Sequence, residues 1–138
     1  MAEDPRAAQA PGNELLLFLA DLGAALSAIG ETVDAIELRL ALIARAYGLE
    51  DARFSVFPTS LFLTLGRGEA ATIEPTKRLS ATPRLDQIAA VHRLAEEAER
   101  GAIARALASS GGNKSRAAGL LGITRKALYR RMARYGFR

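Results

Sequence analysis

At 138 residues and 49% hydrophobic content, the chain has room for one ordinary domain or two small ones built around a core. It has no cysteine and a single histidine, His92, which excludes a disulfide framework, a thiolate nucleophile, a cysteine zinc site and a histidine-rich metal centre. The net charge of +4 conceals a division: residues 1–100 hold ten basic and fifteen acidic residues, net −5, whereas residues 101–138 hold nine Lys and Arg and no acidic residue, which predicts a polyanion-binding end on an acidic body.

Residues 1–12, MAEDPRAAQAPG, carry Glu3 and Asp4 where a targeting segment would be positive, and read as a disordered tail. From Asn13, taken as an N-cap, Leu15, Leu19, Leu22, Leu26 and Ile29 recur at spacings of four and three, one face of an amphipathic helix that ends at Gly30. This apolar run is interrupted by Asp21 and falls short of the roughly 20 apolar residues that cross a bilayer. No membrane insertion is expected, and a soluble cytoplasmic protein is. A second helix is predicted after Thr32, with Val33, Ile36, Leu40, Ile43 and Tyr47 along its face and Gly48 as its stop, so that the two form a helical hairpin.

Beyond Glu50 and Asp51 the pattern turns β-prone. Phe54, Val56 and Phe57 lie in a run that stops at Pro58, Leu61–Leu65 is a second run, and the turn Gly66–Glu69 leads to a third, Ala71–Glu74, before Pro75. After a loop at Ser80–Pro83, Leu85, Ile88, Val91, Ala95 and Ala98 mark a long helix leading towards Gly101, with Glu96, Glu97 and Glu99 on its wet side. The expected fold class is α+β over residues 13–100, a helical hairpin plus a small antiparallel three-stranded sheet and a long helix, followed by an all-α domain over residues 101–138.

Nothing in this body assembles a catalytic set. His92 has no motif pairing it with Ser or Asp. Asp34 and Glu37 are neighbours on one helix and read as a solvated acidic edge rather than an acid/base pair. Gly66 and Gly68 lack the Gly, Lys and Ser or Thr of a phosphate loop and read as a turn. No catalytic residue, metal ligand or cofactor is assigned, and an enzyme is not expected.

Gly30 with Glu37 seven residues on, Tyr47-Gly48-Leu49, Phe57-Pro58-Thr59, Thr72, and Leu85-Asp86 leading into a helix with Val91 and Leu94 make residues 14–101 resemble the soluble N-terminal region of the threonine/serine exporter family of bacterial membrane proteins. Members of that family continue into a bundle of transmembrane helices with no counterpart here, so transport is not expected. The resemblance implies an α+β domain that accompanies an amino-acid pathway, hence a small amino-acid ligand to be sensed or an accessory role in export.

In the basic end, Ile103, Ala106 and Leu107 predict a short supporting helix that closes near Ser109–Gly112. Asn113 caps the next helix, Ala117, Ala118, Leu120 and Leu121 form its apolar face, and Gly122 ends it. Ile123 fills the corner, Thr124 caps the last helix, Leu128, Met132 and Tyr135 form its stripe, and Gly136 ends that helix. At about 100° per residue the stripe leaves Lys126, Arg130, Ala133 and Arg134 on the opposite face, with Arg125 and Tyr129 on one flank and Arg131 on the other. A cationic helix of this kind suits the major groove, where guanine O6 and N7 accept a bidentate arginine and the flanking phosphates attract the remaining charge, Lys126 and Arg134 included. A membrane-surface helix would need a broad exposed apolar face, which packing consumes here.

The segment GGNKSRAAGLLGITRKALYRRMARYGF resembles the C-terminal helix-turn-helix of the Fis type, over residues 97–138. That resemblance implies that Thr124, Arg125 and Arg130 approach bases and that Asn113, Ser115, Arg116 and Arg131 hold phosphates. Ala127 stands where a hydroxyl residue is common and would touch a thymine methyl. The enhancer-binding regulators that share this motif carry an ATPase module before it, and this chain has neither a phosphate loop nor room for one. The expected protein is a small bacterial transcriptional regulator, a homodimer reading double-stranded DNA with helix 124–135 on half-sites roughly 34 Å apart. A trihelical unit this small has little core and should lean on the preceding helix or on a partner chain.

Overall fold

The computed structural model describes residues 11–57, 61–64, 70–73 and 82–138. The first ten residues of the expected tail 1–12, Pro58-Thr59, Leu65 with the turn Gly66–Glu69, Glu74-Pro75 and Ser80 lie outside the described residues. Helix α1 (Pro11–Ala28) begins two residues before the expected cap, so Asn13 sits inside it. Proline at a helix start forfeits only an N–H that has no intrahelical acceptor, which is why the helix can extend to Pro11. Helix α2 (Val33–Ala46) begins as predicted, with Thr32 accepting the Ala35 N–H at 3.3 Å.

Leu19, Leu22 and Leu26 of α1 pack against Ile36, Leu40 and Ile43 of α2 in the core. Leu42 and Ala44, outside that stripe, are buried as well, because α2 is the central helix: it also touches α4 (Lys114–Leu121), α3 (Leu85–Ser109) and strand β1 (Arg53–Val56). The ends of its predicted stripe, Val33 and Tyr47, are exposed.

Strand β1 pairs antiparallel with β2 (Leu61–Thr64), Phe54 opposite Leu63, and β3 (Ala70–Ile73) runs along the other side of β2 with Leu61 opposite Ile73. Phe54, Val56 and Leu63 face the core, while Phe57 and Phe62 meet edge to face outside it at 5.4 Å. Glu37 is not a solvated edge. Its Oε1 accepts the Val56 N–H of β1 at 3.0 Å, satisfying a backbone donor that the end of the strand leaves free.

Two expected helices are one. Helix α3 runs from Leu85 to Ser109 with no break at Gly101, so the expected boundary between residues 100 and 101 falls inside it. An internal glycine costs a helix about 1 kcal/mol, but here the buried line Val91, Ala95, Glu99, Ala102, Ala106 passes straight through and packing holds the helix together. That line also overturns the wet-side placement of Glu99, which is 4% exposed, and Leu85, expected on the apolar face, is 84% exposed. Helix α4 and helix α5 (Arg125–Arg134) follow.

All five helices among the described residues stop in the same way. A glycine with φ between +59° and +90°, or +96° at Gly48, turns the chain, and the N–H after the turn reaches back to a carbonyl five residues earlier: Glu31 to Leu26, Leu49 to Ala44, Gly112 to Leu107, Ile123 to Ala118, and Phe137 to Met132. One continuous cluster of buried residues, from Leu19 in α1 to Met132 in α5, makes the core. Among the described residues, no helix is long and apolar enough to cross a membrane.

Candidate nucleic-acid interface

Helix α4 opens on Asn113, whose Oδ1 accepts the Arg116 N–H at 3.1 Å, and α5 opens on Thr124, whose Oγ1 accepts the Ala127 N–H at 3.1 Å. Both caps fix helix starts, and both leave donors for a ligand, the Asn113 amide and the Thr124 hydroxyl proton. Between them Gly122, at φ +67°, lets Ile123 N–H close on Ala118 and sends the chain around the corner. The corner is braced from α2: Arg45 Nε donates to Glu50 C=O at 3.2 Å and its Nη1 reaches Leu121 C=O at 3.5 Å.

Ala117, Ala118 and Leu121 of α4 face Leu128 and Met132 of α5, and all are buried. The small alanines let the helix axes approach, so the polar residues are turned outward. Thr124, Arg125, Lys126 and Arg130 are exposed on α5, Asn113, Ser115 and Arg116 are exposed on and before α4, and Ala127 is half-buried. Among the described residues, the side chains of Arg116, Lys126 and Arg130 have no hydrogen-bond or ion-pair partner.

The other predicted contacts are less free. Arg125 Nη2 donates to the Tyr129 hydroxyl at 3.2 Å, and its guanidinium lies 5.5 Å from that ring. Lys114 of α4 approaches the same ring at 5.5 Å, so Tyr129 is a shared platform between the two helices. The Arg125 hydrogen bond, with the charges of Arg125 and Lys114, holds the Tyr129 phenol below its usual range. Sequence reasoning missed Lys114 and the platform. The signal was the spacing of four between Arg125 and Tyr129, which stacks them on one face.

Arg131 and Arg134 point back to the body. Arg134 Nη2 donates to Glu96 at 2.9 Å in an exposed pair, and Arg131 Nε donates to the buried Glu99 at 2.6 Å. Glu99 also accepts from Arg39 Nε of α2 at 3.1 Å and from the Tyr135 hydroxyl at 2.9 Å. Burial first, then the Glu99 carboxylate, pushes the Tyr135 phenol up to about 12. His92 is half exposed with Nδ1 4.0 Å from Glu31, and among the described residues no group of acidic or histidine side chains could hold a metal ion.

Comparison with protein families matches residues 17–111 to the family described as "Putative threonine/serine exporter" and residues 94–135 to "Bacterial regulatory protein, Fis family". No curated protein and no solved structure matches the chain. The two matches overlap along α3, the helix that the structure shows to be continuous. The chain belongs to the threonine/serine exporter family over most of its length and ends in the helix-turn-helix of the Fis family, with α3 common to both.

Proposed function

We propose that the chain is a DNA-binding regulator that lays α5 in the major groove of double-stranded DNA. Thr124, Arg125, Ala127 and Arg130 address base edges, and Asn113, Ser115, Arg116 and Lys126 take phosphates. The observation that carries the reading is the pair Lys126 and Arg130, exposed and without a partner among the described residues, on a helix whose apolar side is consumed by Leu128 and Met132. The absence of any acidic residue beyond position 100 supports it electrostatically. Two copies are proposed to act together, one for each half-site, and the exporter match supports threonine or serine as the small molecule to which the body responds. Binding, not catalysis, is the proposed activity.

A gel-shift titration on duplex DNA at several salt concentrations tests this directly. With about six to ten phosphate contacts in a pair, affinity should fall by roughly 10³- to 10⁵-fold between 50 and 200 mM salt. Arg130→Ala should cost about 1–3 kcal/mol on a preferred site and relax discrimination, whereas Arg116→Ala should weaken all sequences alike. Absence of binding at low salt would remove this reading and favour a second one, in which the exporter-family part serves amino-acid export and the basic end is incidental.

A further inference from the structure

Arg130 and Arg131 are adjacent on α5 and have opposite fates. Arg130 is exposed and has no partner among the described residues. Arg131 has a side chain only 21% exposed, its Nε is 2.6 Å from Glu99, and its Nη1 donates to Ala127 C=O at 3.4 Å. Glu99 is the most enclosed charged side chain among the described residues, and its two oxygens are engaged by Arg39 of α2, Arg131 of α5 and Tyr135 at the end of α5. A buried carboxylate stays ionised at a bearable free energy only while its cations remain beside it. Moving Arg131 out to a phosphate in water would leave Glu99 short of a partner, so the pairing opposes that movement.

The space for the movement exists. A cleft of about 260 Å³ between α2 and α5 is lined by Arg130, Arg131 and Glu99, among others. Arg131 therefore borders a cleft and is held there by the Glu99 ion pair and the Ala127 carbonyl.

Building on the reading of α5 as a DNA helix, we infer that Glu99 is a specificity-determining positioning residue: it withholds Arg131 from the DNA backbone and so keeps sequence-independent attraction low beside the base reading of Arg130. A backbone contact adds equally to right and wrong sequences, while a base contact does not. Burying one cation against the body therefore lets a helix rich in arginine pack tightly without gaining indiscriminate affinity from every charge it carries.

The test uses the full chain, a duplex that the wild-type chain selects from a random pool, and an unselected duplex of the same length. Glu99→Gln keeps the size of the side chain and removes its charge. Each arginine it releases onto a phosphate should steepen the log–log salt slope by about 0.9, equivalent to roughly eightfold tighter binding at 0.1 M salt relative to 1 M. Affinity for the unselected duplex should rise and the selected-to-unselected ratio should fall. Adding Arg131→Gln to Glu99→Gln should return the slope to the wild-type value.

An unchanged slope in Glu99→Gln, a parallel loss on both duplexes, or a steeper slope that survives Arg131→Gln would overturn the inference. A purely structural role for Glu99 would produce the parallel loss. Should circular dichroism show Glu99→Gln unfolded, Arg131→Gln alone decides: the wild-type slope supports the inference, and a slope shallower by about 0.9 overturns it. Wild-type chain that binds neither duplex at low salt removes the DNA reading itself, an outcome distinct from all of these.

Discussion

The hairpin half and the helix-turn-helix half, the proposed DNA reader, are cored by different means. α1 and α2 fully bury seven large aliphatic side chains, Leu19, Leu22, Leu26, Ile36, Leu40, Leu42 and Ile43, whereas α4 and α5 fully bury two, Leu121 and Leu128, and fill in with Ala117 and Ala118. Burying a large aliphatic side chain contributes about 1.5–3 kcal/mol, so the reader starts with a small share of the hydrophobic driving force. It makes up the difference by leaning on the body. Arg45 of α2 braces its corner, Glu99 of α3 anchors α5, and Arg105 of α3 in turn caps α2 by donating to Ala46 C=O at 3.0 Å while lying 4.7 Å over the Tyr47 ring. A unit with close helix packing and few large core residues is expected to be stable as an extension of another core rather than as a separate module.

The most severe test of that contrast is to separate the halves. A fragment of residues 101–138 loses Glu99, Arg45 and the first part of α3, and it should show no cooperative thermal transition by circular dichroism; a sharp one would break the comparison. Next comes the corner. Gly122→Ala should destabilise the chain by about 1–2 kcal/mol in urea unfolding, because alanine is strained in the left-handed region, and the added Cβ would run into the Arg45 guanidinium. In an Arg45→Ala background the penalty should shrink to the backbone part alone, and equal penalties would show that Arg45 does not brace the corner.

A smaller effect of opposite sign sharpens the role of α3. Gly101 lies inside the helix, and a Cβ there would meet nothing within 4 Å. Gly101→Ala should therefore raise stability by about 0.5–1 kcal/mol, and a loss would mean that the helix needs flexibility there. The smallest effect is alkaline. Tyr135 keeps its proton to about pH 12 in the folded chain, against an ordinary value of 10.0. Its stabilisation is complete below the unfolded value and is lost as pH rises through the folded one. Tyr135→Phe should flatten the fall in stability over that window, and identical alkaline limbs in both proteins would dissociate Tyr135 from the Glu99 cluster.

Much of the reader was legible because its signals are local. Asn113, Thr124 and Gly122 announce helix ends through their own chemistry, and Leu128 and Met132 announce a face through spacing alone. The body gave up its hairpin for the same reasons. What stayed hidden depends on residues far apart in sequence. Glu99 reads as one of three surface acids until the line Val91, Ala95, Glu99, Ala102 is followed through Gly101; the glycine suggests a stop, and the phase of the apolar residues contradicts it. Glu37 looks solvated because its acceptor role lies with Val56, 19 residues on. The commitments of Arg131 and Arg134 could not be read from a helical projection, which places a side chain on a face but not against a partner.

The continuity of α3 also has a mechanical consequence. Twenty-five helical residues make a rod about 37 Å long, with Glu99 joined to both α2 and α5 and Arg105 in the last turns held to the end of α2. A rod without a joint transmits rotation about its axis as well as tilt. A rearrangement of α2 against α3 would thus reach α5 through the Glu99 cluster, which ties Arg39 of α2 to Arg131 of α5, rather than along the two glycine turns that separate α3 from α5.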